Sequence, residues 1–205
     1  MNIKINIKTL IITFLSAIFC GLSINLYLKA GIGSDCITVF EDGLHHTLGI
    51  SVGWASILYS CVFITLAYLF ARRYLGLSSI LFSILVGPAI DWLQPCMNLL
   101  PNSNYLFVQI LLVLLAIFFI ALSASLLILE ENGMNPYDSV ATALSLHFNL
   151  PYKLIRTMMD FLLFLIGWAL GGRVGLGTIV ASLLTSSMIS FLVHRFQSFQ
   201  KKIGA

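Results

Sequence analysis

Apolar residues run through this chain in long unbroken blocks separated by short polar punctuation. Six stretches, at residues 10–28, 52–70, 78–93, 106–129, 154–170 and 178–193, are apolar around most of a helical circumference. A hydrocarbon layer about 30 Å thick needs about 20 apolar residues at 1.5 Å rise each, so each stretch is predicted to be a membrane-crossing helix. Two further segments, 34–48 and 136–148, alternate differently. They are amphipathic and carry Asp, Glu and His among apolar residues. They are predicted as short amphipathic helices that do not face lipid.

Composition agrees with this reading. Of 205 residues 59% are hydrophobic and only 9% charged, with a mean hydropathy of +0.99. A soluble domain carries about 25% charged residues, so this chain could not cover a water-facing surface. A cytosolic enzyme, a disordered chain and a secreted disulfide scaffold are excluded. The short basic start, Met1 to Lys8, is followed by further spans and no small-residue cleavage site, so it reads as a retained first span. With six spans and an inside N-terminus, Lys4, Lys8, Arg72, Arg73, Lys153, Arg156, Arg195, Lys201 and Lys202 fall on the cytoplasmic side. Only Lys29 and Arg173 fall outside. That asymmetry places both termini in the cytoplasm, and the net charge of +3 serves orientation, not nucleic-acid binding.

The chain also repeats itself. At an offset of 100 residues, Leu22, Ser23, Leu26, Gly33, Leu44 and Arg73 match Leu122, Ser123, Leu126, Gly133, Leu144 and Arg173. After one deletion, Gly76, Leu77, Ile80, Ser83, Leu85, Ile90 and Leu93 match Gly175, Leu176, Ile179, Ser182, Leu184, Ile189 and Leu192. Each half reads span, glycine turn, amphipathic helix, span, Arg-containing turn, span. Three crossings are an odd number, so the second half must enter from the opposite side. The expected fold is all-α and polytopic. It has about six transmembrane helices in two inverted-topology three-helix repeats, residues 1–100 and 101–205, each with an added short amphipathic or half-helix.

Candidate chemistry lies in the paired short helices. Asn135 before Pro136 is a helix start, and Asp35 is the matching cap in the first half. Asp35, Thr38, Asp42 and His45 share one face of the first helix; Asn135, Asp138, Thr142 and Ser145 share the corresponding face of the second. Two readings stand: half-helices presenting their N-terminal dipoles to a solute near the midplane, or helices lying flat at an interface. Charges inside spans need a partner or a water path. Asp91 follows the helix-breaking Pro88, and Asp160 stands one turn after Arg156, with which it is expected to pair. Asp35, Thr38, Asp42, Asp91, Asn135, Asp138 and Thr142 are the expected substrate-binding residues. Ser182, Thr185, Ser186, Ser187 and Ser190 are expected to pack the last span against a neighbour, with pore lining as the alternative. Cys20 and Cys61, inside apolar runs, are expected to be buried thiols. No metal site, cofactor or catalytic set is expected, because no HExxH, CxxC or spaced Ser/His/Asp pattern occurs.

These glycine turns carry a resemblance. Gly49-Ile50-Ser51-Val52-Gly53, Arg73-Tyr74-Leu75-Gly76-Leu77 followed by Leu85-Val86-Gly87-Pro88-Ala89-Ile90-Asp91, Gly133-Met134-Asn135-Pro136-Tyr137-Asp138 and Gly175-Leu176-Gly177-Thr178 resemble bacterial YczE/YyaS/YitT-type integral membrane proteins, along nearly the whole chain. Cys36 stands where the second half has Pro136, a departure at the first half-helix start. The resemblance implies a multi-pass protein of the bacterial cytoplasmic membrane and brings no reaction or substrate. The expected function is a small transporter or permease for a small molecule or ion, working as a homo-oligomer in the lipid bilayer. The alternative is a non-transporting scaffold or accessory subunit.

Overall fold

A computed structural model of the chain describes residues 7–97, 99, 105–130 and 135–203. Its elements are α1 (Ile7–Ala30), α2 (Cys36–Leu48), α3 (Val52–Phe70), a 3-10 turn (Arg72–Tyr74), α4 (Leu77–Met97), α5 (Leu106–Glu130), α6 (Pro136–Phe148), α7 (Tyr152–Ala169) and α8 (Leu176–Ile203). No strand occurs among the described residues. The 100-residue offset reappears in the boundaries: α2 and α6 each start and end 100 residues apart, and α3 and α7 start 100 apart.

Local chemistry sets those boundaries. Ser51 caps α3 by accepting from the Trp54 amide at 3.2 Å, and Asn135 caps α6 by accepting from the Tyr137 amide at 3.1 Å. The two short helices end alike, in left-handed residues at equivalent positions, Gly49 (φ 68°) and Asn149 (φ 53°). These are residue types that tolerate that conformation. His45 Nδ1 then lies 2.5 Å from the Ile50 carbonyl, and Ser145 donates to the Leu150 carbonyl at 2.6 Å. The same kind of closing bond thus recurs at the 100-residue offset. Pro88 and Pro95 both lie within α4 without ending it. The expected glycine turn at Gly133 and Met134 lies outside the described residues.

Packing follows the same exchange. α1 packs on α4 and α5 on α8; α6 packs on α3 and α2 on α7. The two halves meet along α1 and α5. Ser23 donates to the Ala116 carbonyl at 2.8 Å, and Ser123 to the Ser16 carbonyl at 2.8 Å. Later residues of one helix face earlier residues of the other, so α1 and α5 are antiparallel. The exchange fails in one place: α3 packs on α4, whereas α7 has no comparable packing on α8. Two apolar clusters fill the space around the α1–α5 seam, one including Cys20, Ile24, Phe82 and Val86, the other Tyr27, Val113, Ile117 and Ala181.

Among the described residues, five helices are long and apolar enough to cross a membrane: Ile7–Ala30, Val52–Phe70, Leu77–Met97, Leu106–Leu129 and Leu176–Ser198. The expected sixth, α7, is not among them. It has 18 residues and carries Lys153, Arg156 and Asp160 in its N-terminal half. Two smaller expectations also change. Cys61 is exposed on the outer side of α3, while Cys20 is buried as expected. The α8 hydroxyls Ser182, Ser186, Ser187 and Ser190 are exposed rather than packed within the chain, and Ser190 bonds its own helix at the Ser186 carbonyl.

Candidate functional site

The starts of α2 and α6 converge inside the bundle. Ile37, in the first turn of α2, and Tyr137, in the first turn of α6, join one apolar cluster with Tyr59 and Phe63 of α3 and Met159 and Leu163 of α7. Those six are three equivalent pairs at the 100-residue offset, so the cluster sits where the halves face each other. Tyr59, Phe63 and Tyr137 hold it by ring contacts, with Phe63 and Tyr137 centroids 4.9 Å apart in edge geometry.

Neither short helix has the single covered stripe of a surface-lying helix. Glu41, Asp42 and Gly43 are buried in succession, as are Ser139, Val140 and Ala141. Only the C-terminal turns, from His46 and from Leu146, are exposed. Small residues let the backbones touch. A Cβ on Gly167 would stand 2.6 Å from the Phe40 backbone, and one on Gly43 would stand 2.6 Å from the Gly167 carbonyl. The equivalent crossing of α6 on α3 uses Ala67, buried with Val140 and flanked by Ala143.

The expected site residues separate into three groups. Asp35 occupies the N-cap position of α2, but its side chain makes no cap bond to the backbone; instead it accepts from the Thr38 hydroxyl at 2.6 Å. Burial pushes the Asp35 carboxyl above its ordinary range, the Thr38 bond opposes this, and the Asp160 carboxylate of α7 adds to the rise. Burial likewise pushes the neighbouring Cys36 thiol up to about 12, which disfavours the thiolate.

Asp138 belongs to a denser network. Arg156 donates to its carboxylate, as does the Tyr152 hydroxyl at 2.8 Å. Arg156 Nε also lies 3.4 Å from Asp160 Oδ1, the expected pair, and Tyr137 donates to that same oxygen at 2.6 Å. The guanidinium stacks over the Tyr137 ring, 4.6 Å from its centroid. Asn135 caps α6, and Thr142 donates back to the Asp138 carbonyl at 2.8 Å. One cation thus serves two carboxylates. The first half has uncharged Thr38, Ser56 and Ser60 where the second has Asp138, Arg156 and Asp160.

Asp42 and Asp91 do different work. Asp42 Oδ2 accepts from the Arg173 amide at 2.9 Å, with Arg173 Nε at 3.8 Å and His46 at 3.5 Å from the carboxylate. It holds the glycine turn between α7 and α8. Asp91 accepts from Ser51 at 2.6 Å and from the Gly53 amide at 3.0 Å, closing the start of α3 from α4. Both carboxylates satisfy backbone amides, which is a fold-holding use of charge.

One buried carboxyl had no signal in the residue pattern. Glu41 is 1% exposed, bonds Ser56 and leaves Oε2 without a partner. Burial pushes its carboxyl up to about 8. It precedes Asp42 on the flank of the polar face, and the repeat aligns it with apolar Ala141, so sequence spacing did not single it out. Among the described residues no group of His, Cys, Asp and Glu is placed to hold a metal.

A bundle of long apolar helices with two short helices buried among them defines a polytopic helical membrane protein. The family of unknown function DUF6198 matches residues 7–194, and the chain belongs to that family. A protein of Haemophilus influenzae described as uncharacterized is 26% identical over 91% of this chain and 84% of its own length. The uncharacterized membrane protein YczE of Bacillus subtilis is 24% identical over 83% of this chain and 78% of its own length. The YczE-like resemblance read from the glycine turns is therefore correct. No solved structure matches.

Proposed function

We propose that the chain is a small secondary transporter or permease of the bacterial cell membrane, with α7 crossing as a sixth span beside the five apolar helices and both termini cytoplasmic, moving a small solute or ion by alternating access between two inverted repeats. Support for inversion comes from the antiparallel α1–α5 seam with its reciprocal serine bonds. Such reciprocity is expected of two halves related by a twofold axis across the helices. The observation that carries the transport reading is the unequal packing of otherwise matching halves: α3 on α4, but α7 apart from α8. Alternating access needs two such arrangements of one repeat. The solute site is assigned to the converging helix starts, with Asp35, Thr38, Asn135, Asp138 and Thr142 facing it and Asp42 and Asp91 fixing the adjoining turns.

Reconstitution tests this. Proteoliposomes challenged with amino acids, organic acids, sugars, nucleosides and inorganic ions should show protein-dependent uptake of one class, reduced at least tenfold in D35N. Absence of uptake across that panel overturns the reading. A second reading, an accessory subunit of another membrane system, draws on the engagement of Asp42, Asp91 and Asp138 in internal bonds and on the uncovered α8 hydroxyls. One stable co-purifying membrane partner, with D35N tolerated in its function, would favour it.

A further inference from the structure

We propose that Glu41 is a proton-binding site, a carboxyl kept neutral where α2 packs on α3, within reach of Cys20 on α1, and able to release its proton when α2 moves. Its side chain is 1% exposed and has no ion pair among the described residues. The groups around it are neutral or acidic. Cys20 on α1 and Tyr59 on α3 lie within its electrostatic reach, Ser56 on α3 bonds it, and Asp35 on its own helix adds a like charge. On α7, the other helix packed against α2, Asp160 acts on Asp35 and Cys36, and Arg156 on Cys36, at the helix start.

An ionised carboxylate so placed would lack both water and a counter-charge, so the neutral acid is favoured. The neutral acid has one proton to donate, and Oε2 is the oxygen with no partner. The Tyr59 hydroxyl, also buried, is likewise without a partner. A bound cation would need more oxygens than this carboxyl and its neighbours supply; a proton needs one. Separation of α2 from α3 would admit water, favour the carboxylate and release the proton. Coupling of that release to a solute rests on the transport reading; proton binding does not.

Infrared difference spectroscopy of the purified protein in nanodiscs, titrated with base, reads the site directly. The wild type should show the carbonyl stretch of a protonated carboxylic acid at neutral pH, lost at alkaline pH. E41Q should lack that band, and D35N should keep it. The chain has glutamates only at 41, 130 and 131, so ¹³C-glutamate labelling of the wild type should shift the band even if E41Q fails to fold. A spectrum with no such band, a band insensitive to the label, or one unchanged in E41Q overturns the proposal. In proteoliposomes that do take up a solute, E41Q should abolish the response of uptake to an imposed pH gradient. A labelled band without any uptake would leave the proton site standing and remove the transport reading alone.

Discussion

Phe19 and Phe119 stack with ring centroids 5.8 Å apart and planes 19° from parallel. Each residue therefore touches its own equivalent in the other half. Around them Ser16 and Ser123 hydroxyls lie 2.9 Å apart. Two sulfurs at those positions are close enough to bond after a small rotation. In a chain whose four native cysteines are replaced, S16C/S123C is expected to form an intramolecular disulfide under mild oxidation. Non-reducing electrophoresis after cleavage between α4 and α5 reads it. Two separate fragments would mean that the antiparallel seam is wrong.

Among the described residues, Arg156 is the one cation bonded to both Asp138 and Asp160. Its side chain is 32% exposed, and those of Asp138 and Asp160 29% and 33%, so its loss should fall between surface and buried pairs. R156Q is expected to cost about 2 kcal/mol. Combining it with D138N should recover part of that, because the like charges left behind are reduced. Thermal unfolding in detergent, arranged as a double-mutant cycle, measures the recovery. Additive losses would show that the network is not coupled.

At the α2–α7 crossing there is no room for a side chain. A Cβ at position 167 meets the Phe40 nitrogen at 2.6 Å and the Val39 carbonyl carbon at 2.7 Å, both backbone atoms. G167A should therefore destabilise by about 1–3 kcal/mol, and G167L should prevent recovery of folded protein. A Gly167→Leu variant with an unchanged melting temperature would contradict the close approach.

Asp91 accepts from Ser51 and the Gly53 amide at the start of α3. D91A is expected to lower stability by about 1–2 kcal/mol, as for a lost helix cap, and D91N by less. Solute uptake per folded molecule should stay within twofold of wild type in D91N. A large fall in uptake with unchanged stability would move Asp91 into the binding site.

Stability should also depend on pH through Glu41. Burial pushes its carboxyl up to about 8 in the folded chain, against 4.5 for an ordinary glutamate. Between those values the folded protein holds more protons than the unfolded chain, so stability falls as pH rises through that window. Melting temperature should decline from about pH 5 to pH 8 in the wild type, and the decline should be shallower in E41Q. Parallel profiles would assign the slope to other groups.

Much of this architecture was legible in the residues because helix ends leave local punctuation behind. Asn135 with Pro136, the Gly49 turn and the apolar blocks fix where helices start and stop, and each acts through local chemistry. Burial was harder to read. Asp42 and Asp91 look like inward-facing charges in a helical projection, yet each caps a turn on a helix distant in sequence. Only the assembled bundle decides that. Arg156 was visible as the partner of Asp160 one turn away, but its bond to Asp138 crosses from α7 to α6. Glu41 was invisible for a similar reason: what surrounds it comes from α1 and α3, and neither lies at a fixed spacing from it. α7 is the least apolar of the expected spans, since Lys153, Arg156 and Asp160 crowd the half that meets the short helices.

The unequal seams between α3–α4 and α7–α8 carry one more implication. On the proposed symmetry, the first half is a template for where α8 would sit once drawn against α7, and the second half a template for α4 swung clear of α3. Exchanging the two geometries generates a second end state from the coordinates of the first. A single set of atoms would then encode both limits of the molecule's motion, and residues such as Ser56 and Arg156 would trade surroundings without changing neighbours along the chain.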